Sequence, residues 1–230
     1  EDSHTLQVES AEGLQRLRYQ QAIIAVGSKP ALPKIFNIGS SRIMTSTEAL
    51  ELPDVPERLL VVGGGYIGLE LATVYAALGS RIVLVEATDR LLSSVDEDLM
   101  RPVARALGSM VQEIRLSTQV VEIAEQGAQV QVVCEGPGGR KQERYDRVLV
   151  AVGRVPNCDN LGLEHTKVQR TPGGFIQVNA QQQTADPAIL AIGDVVGGAL
   201  LAHKASHEAR VAIDSRAPEP PSVIPAVVCT

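Results

Sequence analysis

Apolar positions change their spacing along this chain, and each change marks out structural elements. Between about Arg58 and Val155 the pattern alternates: an apolar strand over 59–63, helical spacing over 66–79, a strand over 81–86 and a helix over 96–107. A parallel sheet with helical crossovers requires that alternation, so the expected fold class is α/β. Gly79 falls just past the first helix, where a left-handed cap is useful. Asp96-Glu97-Asp98 puts negative charge at the start of the second, where the helix dipole favours it. From Glu113 the period moves toward two, predicting strands near 113–117, 119–124, 128–134 and 147–152, with a turn at Gly136-Pro137-Gly138-Gly139.

Before this region, strands are expected over Thr5–Glu9 and Leu17–Val26, and Pro30 and Pro33 keep the chain extended afterwards. Ser46 or Thr47 can cap a short helix over Glu48–Leu50, and Pro53 to Pro56 reads as a domain-crossing linker. After Pro156 comes a loop-rich stretch, then a buried strand over Ile189–Asp194 and a last helix over about 199–215, broken by Ala217-Pro218-Glu219-Pro220-Pro221. Two strands, 22–26 and 147–152, both end in Ala-Val-Gly, at Gly27 and Gly153. Either backbone must lie close to a cofactor or a domain junction there, or each glycine serves packing alone.

With 230 residues the chain holds one large or two modest domains, and 44% hydrophobic with 21% charged residues is ordinary for a soluble globular protein. The net charge of −6 argues against nucleic acid as a main partner. No apolar run is long enough for a membrane span, and the start lacks the basic and apolar regions of a signal peptide, so a cytoplasmic setting is expected. Cys134, Cys158 and Cys229 are too far apart for a C-x-x-C pair or a metal-ligand set, and read as buried or incidental residues. His203 and His207 are spaced i, i+4 but have no evident third ligand, so no metal site is expected.

The strongest chemical signal is Leu59-Leu-Val-Val-Gly-Gly-Gly-Tyr-Ile-Gly-Leu-Glu70, followed by a second apolar run ending at Glu86. Gly63, Gly65 and Gly68 are spaced G-x-G-x-x-G between a strand and a helix, the arrangement of a dinucleotide-binding βαβ unit. Gly63 permits the sharp turn, Gly65 lets a pyrophosphate approach the backbone, and Gly68 lets the helix lie close on the strand. The helix then starts with free N–H groups and a positive dipole end aimed at the diphosphate. A carboxylate at Glu86 accepts hydrogen bonds from a ribose with free hydroxyls and repels a 2′-phosphate, which favours NAD over NADP. Arg90 lies near enough in sequence to keep the second cofactor open.

Taken together, residues 22–28, 63–68 with Glu70, 145–157, 192–194 and 201–208 resemble the flavoprotein disulfide reductases, a family of pyridine nucleotide-disulfide oxidoreductases, and are most similar to its dihydrolipoamide dehydrogenase branch. The resemblance implies a Rossmann-like NAD-binding domain inserted into a partial FAD-binding α/β domain. Residues 1–52 and 157–223 would belong to the FAD domain, 53–156 to the NAD domain, and 224–230 to the start of a dimerisation domain. Three family features would then lie outside the sequence: the first FAD fingerprint, the redox cysteine pair and the C-terminal histidine-glutamate base. The intact enzyme would pass electrons from dihydrolipoamide on a carrier domain through FAD to NAD, as a homodimer within a 2-oxo acid dehydrogenase complex. Other family activities (mercuric reductase, transhydrogenase, NADH oxidase) and a non-catalytic NAD-binding module are the alternatives.

By the same resemblance, Gly63, Gly64, Gly65, Ile67 and Gly68 hold the NAD pyrophosphate, Glu86 the adenosine ribose and Val120 the adenine. Gly153 and Glu70 lie toward the nicotinamide. On the FAD side it implies Gly27, Ser28 and Asp194, the last bonding the ribityl chain, with Leu200, Leu201, Ala202 and His203 at a helix start facing the flavin. No residue of this chain is expected to be catalytic by itself. Ala209 stands where the family has glycine and Cys229 where tyrosine is common, and 212–223 is short for the family.

Overall fold

A computed structural model describes residues 4–93 and 95–214. The expected break after residue 215, the interface segment 224–230 and Cys229 lie outside the described residues. Strands β1 (Thr5–Ser10) and β2 (Gly13–Arg18) form an antiparallel hairpin, followed by β3 (Ala22–Ile24) and β4 (Ser28–Pro30). Next come β5 (Ile43–Met44), α1 (Ser46–Leu50), β6 (Arg58–Val62), α2 (Tyr66–Ala77), β7 (Arg81–Val85), α3 (Glu97–Met110) and β8 (Glu113–Arg115). Strands β9 (Gln119–Gln126), β10 (Gln129–Gly136) and β11 (Gly139–Tyr145) form an antiparallel sheet in the order β11-β10-β9. The chain continues through β12 (Arg147–Val150), β13 (Arg154–Pro156), β14 (Ile189–Ala191) and α4 (Ala202–Ile213).

The described chain divides into two compact units, one built from the residues up to Lys29 and from Val155 onward, the other from Pro30–Arg154. In the second unit five strands pair parallel in the order β5-β12-β6-β7-β8. Alternate residues of these strands serve different cores. Leu59, Val61, Ile82, Leu84 and Leu149 pack with Leu69, Ala72 and Tyr75 of α2 and Met100 and Leu107 of α3. Leu60, Val62, Val83, Val85, Val148 and Val150 pack with Val130, Val132 and Tyr145 of the antiparallel sheet. A strand covered on both faces has no polar side to show, which is why β6 and β7 read as continuous apolar runs.

Several boundaries differ from expectation. Segment 30–52 joins the second unit rather than the first, because β5 pairs with β12 and Met44 and Ala49 enter the core around α2. Thr45, not Ser46 or Thr47, caps α1: its hydroxyl accepts from the Thr47 N–H while Glu48 accepts from the Thr45 N–H, a capping box. The expected strand 17–26 is split into β2 and β3. Strand β11 had no sequence signal because Arg140-Lys-Gln-Glu-Arg144 lacks apolar alternation; it forms by pairing with β10, and only its last residue, Tyr145, is buried. Gly79 lies at φ +106°, just past α2, as the pattern predicts.

The first unit is smaller in regular structure. Strand β3 pairs parallel with β14, Ile24 opposite Ala191. Ala191 of β14 packs with Cys158, Leu163, Ile176 and Val195 in a separate core. Strand β14 ends three residues before the expected Asp194, which instead sits in a 3₁₀ turn over Gly193–Val196.

Candidate nucleotide and flavin sites

In the second unit the ends of β6, β7 and β12 meet at the carboxyl edge of the parallel sheet, the edge at which such sheets bind ligands. Gly63 turns the chain at φ +109°, where a Cβ would lie 2.3 Å from the Ala151 carbonyl oxygen at the end of β12. Gly68, one turn into α2, would bring a Cβ to 2.0 Å from the Gly63 carbonyl oxygen. Gly65 has open space instead, and it begins α2 without a side-chain cap and without an acid in the first turn. Bare backbone on the outside and crowding within leave the α2 amide end open to an anion. Ile67, in this first turn, packs into the core around α2, and Glu70 lies half-buried further along.

Glu86 follows β7 and turns its carboxylate onto the glycine loop. Its Oε2 accepts from the Gly64 N–H at 2.6 Å; its Oε1 accepts from the Thr88 N–H at 2.8 Å and the Thr88 hydroxyl at 2.9 Å. Gly64 is crowded too, because a Cβ there would lie 2.5 Å from Leu91. Thr88 and Leu91 have roles that sequence reasoning missed. Their only signal was nearness to the acid, and a hydroxyl two residues on is common in any loop. The Glu86 carbonyl accepts from the Thr118 N–H, which brings the start of β9, with half-buried Val120, beside the same edge. Arg90 directs its guanidinium to the Ser93 carbonyl of its own loop.

Gly27 and Gly153 both adopt positive φ, at +69° and +135°, with nothing within 4 Å of an added Cβ. They are therefore not packing glycines. Each is the last residue before β4 or β13, the two stretches in which the chain passes between units; the Gly27 carbonyl accepts from the Asn157 N–H and the Gly153 carbonyl from the Ala31 N–H.

In the first unit the Ser28 hydroxyl donates to Asp194 Oδ2 at 2.5 Å, joining two of the expected residues. Beside them lies a group that the sequence did not reveal. Lys204 of α4, 6% exposed, donates to Glu208 Oε1 at 2.6 Å and to the Gly193 carbonyl at 3.2 Å. Glu208 Oε2 accepts from the Gly193 N–H at 2.6 Å. Helix α4 starts after Leu201 with no side-chain cap and no acid in its first turn. Leu200 and Leu201 are half-buried, Ala202 and His203 exposed.

Electrostatic stress is concentrated elsewhere. Arg115 lies between Glu113 and Glu143, and the hydrogen bonds it donates to these carboxylates, Glu113 first, raise its pKa further. Burial opposes ionisation of Glu143, but the hydrogen bond and charge of Arg115, with the hydrogen bonds from Tyr145 and Arg58, together outweigh it and hold the carboxyl below the ordinary glutamate range. Burial pushes the Cys134 and Cys158 thiols up, so both are inert packing residues at neutral pH.

A parallel sheet whose glycine bend leads into an uncapped helix, with an acid closing the next strand, defines a dinucleotide-binding oxidoreductase fold. Residues 1–209 match the pyridine nucleotide-disulphide oxidoreductase family, and the chain belongs to it. Members of this family use FAD and NAD(H). The chain is 40% identical to the dihydrolipoyl dehydrogenase of Vibrio cholerae serotype O1 over 232 residues, which are 99% of this chain and 49% of that protein. It is 40% identical to that of Geobacillus stearothermophilus over 231 residues, with the same coverage. Among solved structures, the HOCl-induced flavoprotein disulfide reductase RclA from Escherichia coli superposes with a TM-score of 0.82 at 29% identity, over 91% of this chain and 47% of that one. LpdA from Mycobacterium tuberculosis superposes with a TM-score of 0.82 at 26% identity, over 91% and 45%. The chain thus spans about half the length of the relatives it matches. Among the described residues no helix is long and apolar enough to cross a membrane.

Proposed function

We propose that this chain carries the NAD site and part of the FAD site of a dihydrolipoyl dehydrogenase-type oxidoreductase. The observation that carries the reading is the Glu86 carboxylate fastened to the Gly64 N–H beside an uncapped α2. Gly63, Gly64, Gly65, Ile67 and Gly68 would form the seat of the pyrophosphate: Gly63 and Gly64, whose N–H groups donate to the Val85 carbonyl and to Glu86 Oε2, would shape the bend, and the start of α2 would offer its amide end. Glu86 would accept from the ribose hydroxyls, with Val120 toward the adenine and Glu70 and Gly153 toward the nicotinamide. Asp194, with Ser28 and Gly27, would accept from the ribityl hydroxyls of FAD, and the α4 start at Leu200, Leu201, Ala202 and His203 would present its amide end to the ring. In this reading the second unit is the NAD domain and the first belongs to the FAD domain.

FAD, when bound, supplies the two-electron chemistry between a dithiol and the nicotinamide. What these residues contribute is binding, orientation and selection of the cofactor. The substrate of this reading is dihydrolipoamide on a carrier domain, and its setting a dimer within a cytoplasmic 2-oxo acid dehydrogenase complex; the likeness to dihydrolipoyl dehydrogenases is what supports both. The test is titration of the purified chain with NADH and NADPH by nucleotide fluorescence, together with its flavin absorbance. NADH binding tighter than NADPH, lost in Glu86→Ala, is the expected result. Equal affinities, or NADPH preferred, would overturn the NAD assignment.

A further inference from the structure

We propose that Lys204 and Glu208 are positioning residues for Asp194, a buried ion pair that sets the backbone on either side of Gly193 so that the Asp194 carboxylate is presented ready to receive flavin. This rests on the flavin reading above. Gly193 has φ +80°, and a glycine at positive φ is the loosest joint a backbone can contain. Here the joint is tied twice. Glu208 Oε2 takes its N–H at 2.6 Å, fixing the peptide plane before it, and Lys204 Nζ takes its carbonyl at 3.2 Å, fixing the plane that leads into Asp194. The two side chains close on each other at 2.6 Å, with 7% and 12% of their surfaces exposed.

Stability alone does not account for such a pair. Taking an ammonium and a carboxylate out of water is costly, and a well-packed apolar pair of similar volume commonly does as well or better. A charged pair does fix direction, through hydrogen bonds to one specified peptide group, and that group adjoins Asp194. On the other side, Ser28 holds Oδ2 at 2.5 Å. Lys204 and Glu208 are i, i+4 on α4, so the helix whose first turn is assigned to the flavin also carries the tie to Asp194. Binding site and support are thus set by one element.

The experiment measures FAD dissociation constants by flavin fluorescence quenching for the chain, Lys204→Met, Glu208→Gln, the double neutral variant and Asp194→Ala, and for each alteration combined with Asp194→Ala. The calorimetric transition of the unit that contains α4 reports whether each variant is folded, and NADH affinity, assigned to the other unit, is the control for effects beyond it. Amide exchange at Gly193 and Asp194 reads the tie without flavin. The double variant keeps an amide oxygen for the Gly193 N–H and leaves no unpaired buried charge, so it remains informative where a single variant misfolds. FAD affinity should fall about tenfold or more with NADH affinity unchanged, as when supports of other ligand sites are removed. The further loss should shrink to under about twofold once Asp194 is Ala, and exchange at Gly193 should quicken. Unchanged FAD affinity in the folded double variant, or an equally large loss in the Asp194→Ala background, would overturn the positioning role. If Asp194→Ala itself binds FAD normally, or the unaltered chain takes up none, the flavin reading falls and this role with it.

Discussion

A side chain added at Gly65 meets open space, whereas one added at Gly68 lies 2.0 Å from the Gly63 carbonyl oxygen. The two glycines should therefore fail differently. Gly68→Ala should destabilise the chain by about 1–3 kcal/mol through overpacking, seen as a lower melting temperature. Gly65→Ala should melt as before yet lose NADH affinity, because its Cβ would occupy the approach of the diphosphate. Equal melting losses in both would contradict this division. Thr88→Val tests how Glu86 is aimed: it removes one of three hydrogen bonds to the carboxylate. NADH affinity and its margin over NADPH should both fall by a few-fold, with no further effect in a Glu86→Ala background. The three spaced glycines and the acid were legible because they occur in a fixed order. Thr88, Lys204 and Glu208 were not, because their roles depend on where folding brings a loop or helix face.

At the scale of elements, the strongly periodic segments β6, α2, β7 and α3 were readable, since burial on two faces or one stripe leaves its period in the sequence. Strand β11 was not, since its partner rather than its own composition makes it a strand. The α1 cap was misplaced by one or two residues although T-x-x-E was present, because Ser46 and Thr47 offer the same chemistry. Thr45→Ala should cost about 0.5–2 kcal/mol in chemical denaturation, and Ser46→Ala should cost less. The Arg115 cluster gives a pH dependence. Glu143 is held below its ordinary value of 4.5, so its contribution is complete above that pH and is lost as pH falls through the lower folded value. Melting temperature should decline on the acid side, with a shallower slope in Glu143→Gln; identical acid limbs would remove the cluster from the account.

Across the whole molecule, the two units have separate cores. Calorimetry should resolve two transitions, and NADH should raise only the one belonging to the Pro30–Arg154 unit, by about 2.7 kcal/mol at a hundred times its dissociation constant. A single transition raised as a whole would mean that the units unfold together. That the chain leaves one unit and returns to it was implied by the family resemblance, whereas the paired Ala-Val-Gly endings by themselves left a junction and mere packing equally open. The position of the first crossing was not legible, because Pro53 to Pro56 resembles a linker more than the strand at β4 does.

Because β6 is apolar toward both layers, sliding it by one residue would exchange its two sets of side chains without wetting either. Greasiness alone is therefore blind to such an error. What detects it is the bend that follows, where only a residue lacking a β-carbon fits beneath the Ala151 oxygen at 2.3 Å. The bend assigned to nucleotide thus also serves as an alignment pin for the sheet, and damage at Gly63 should appear as misassembly during synthesis before it appears as lost affinity.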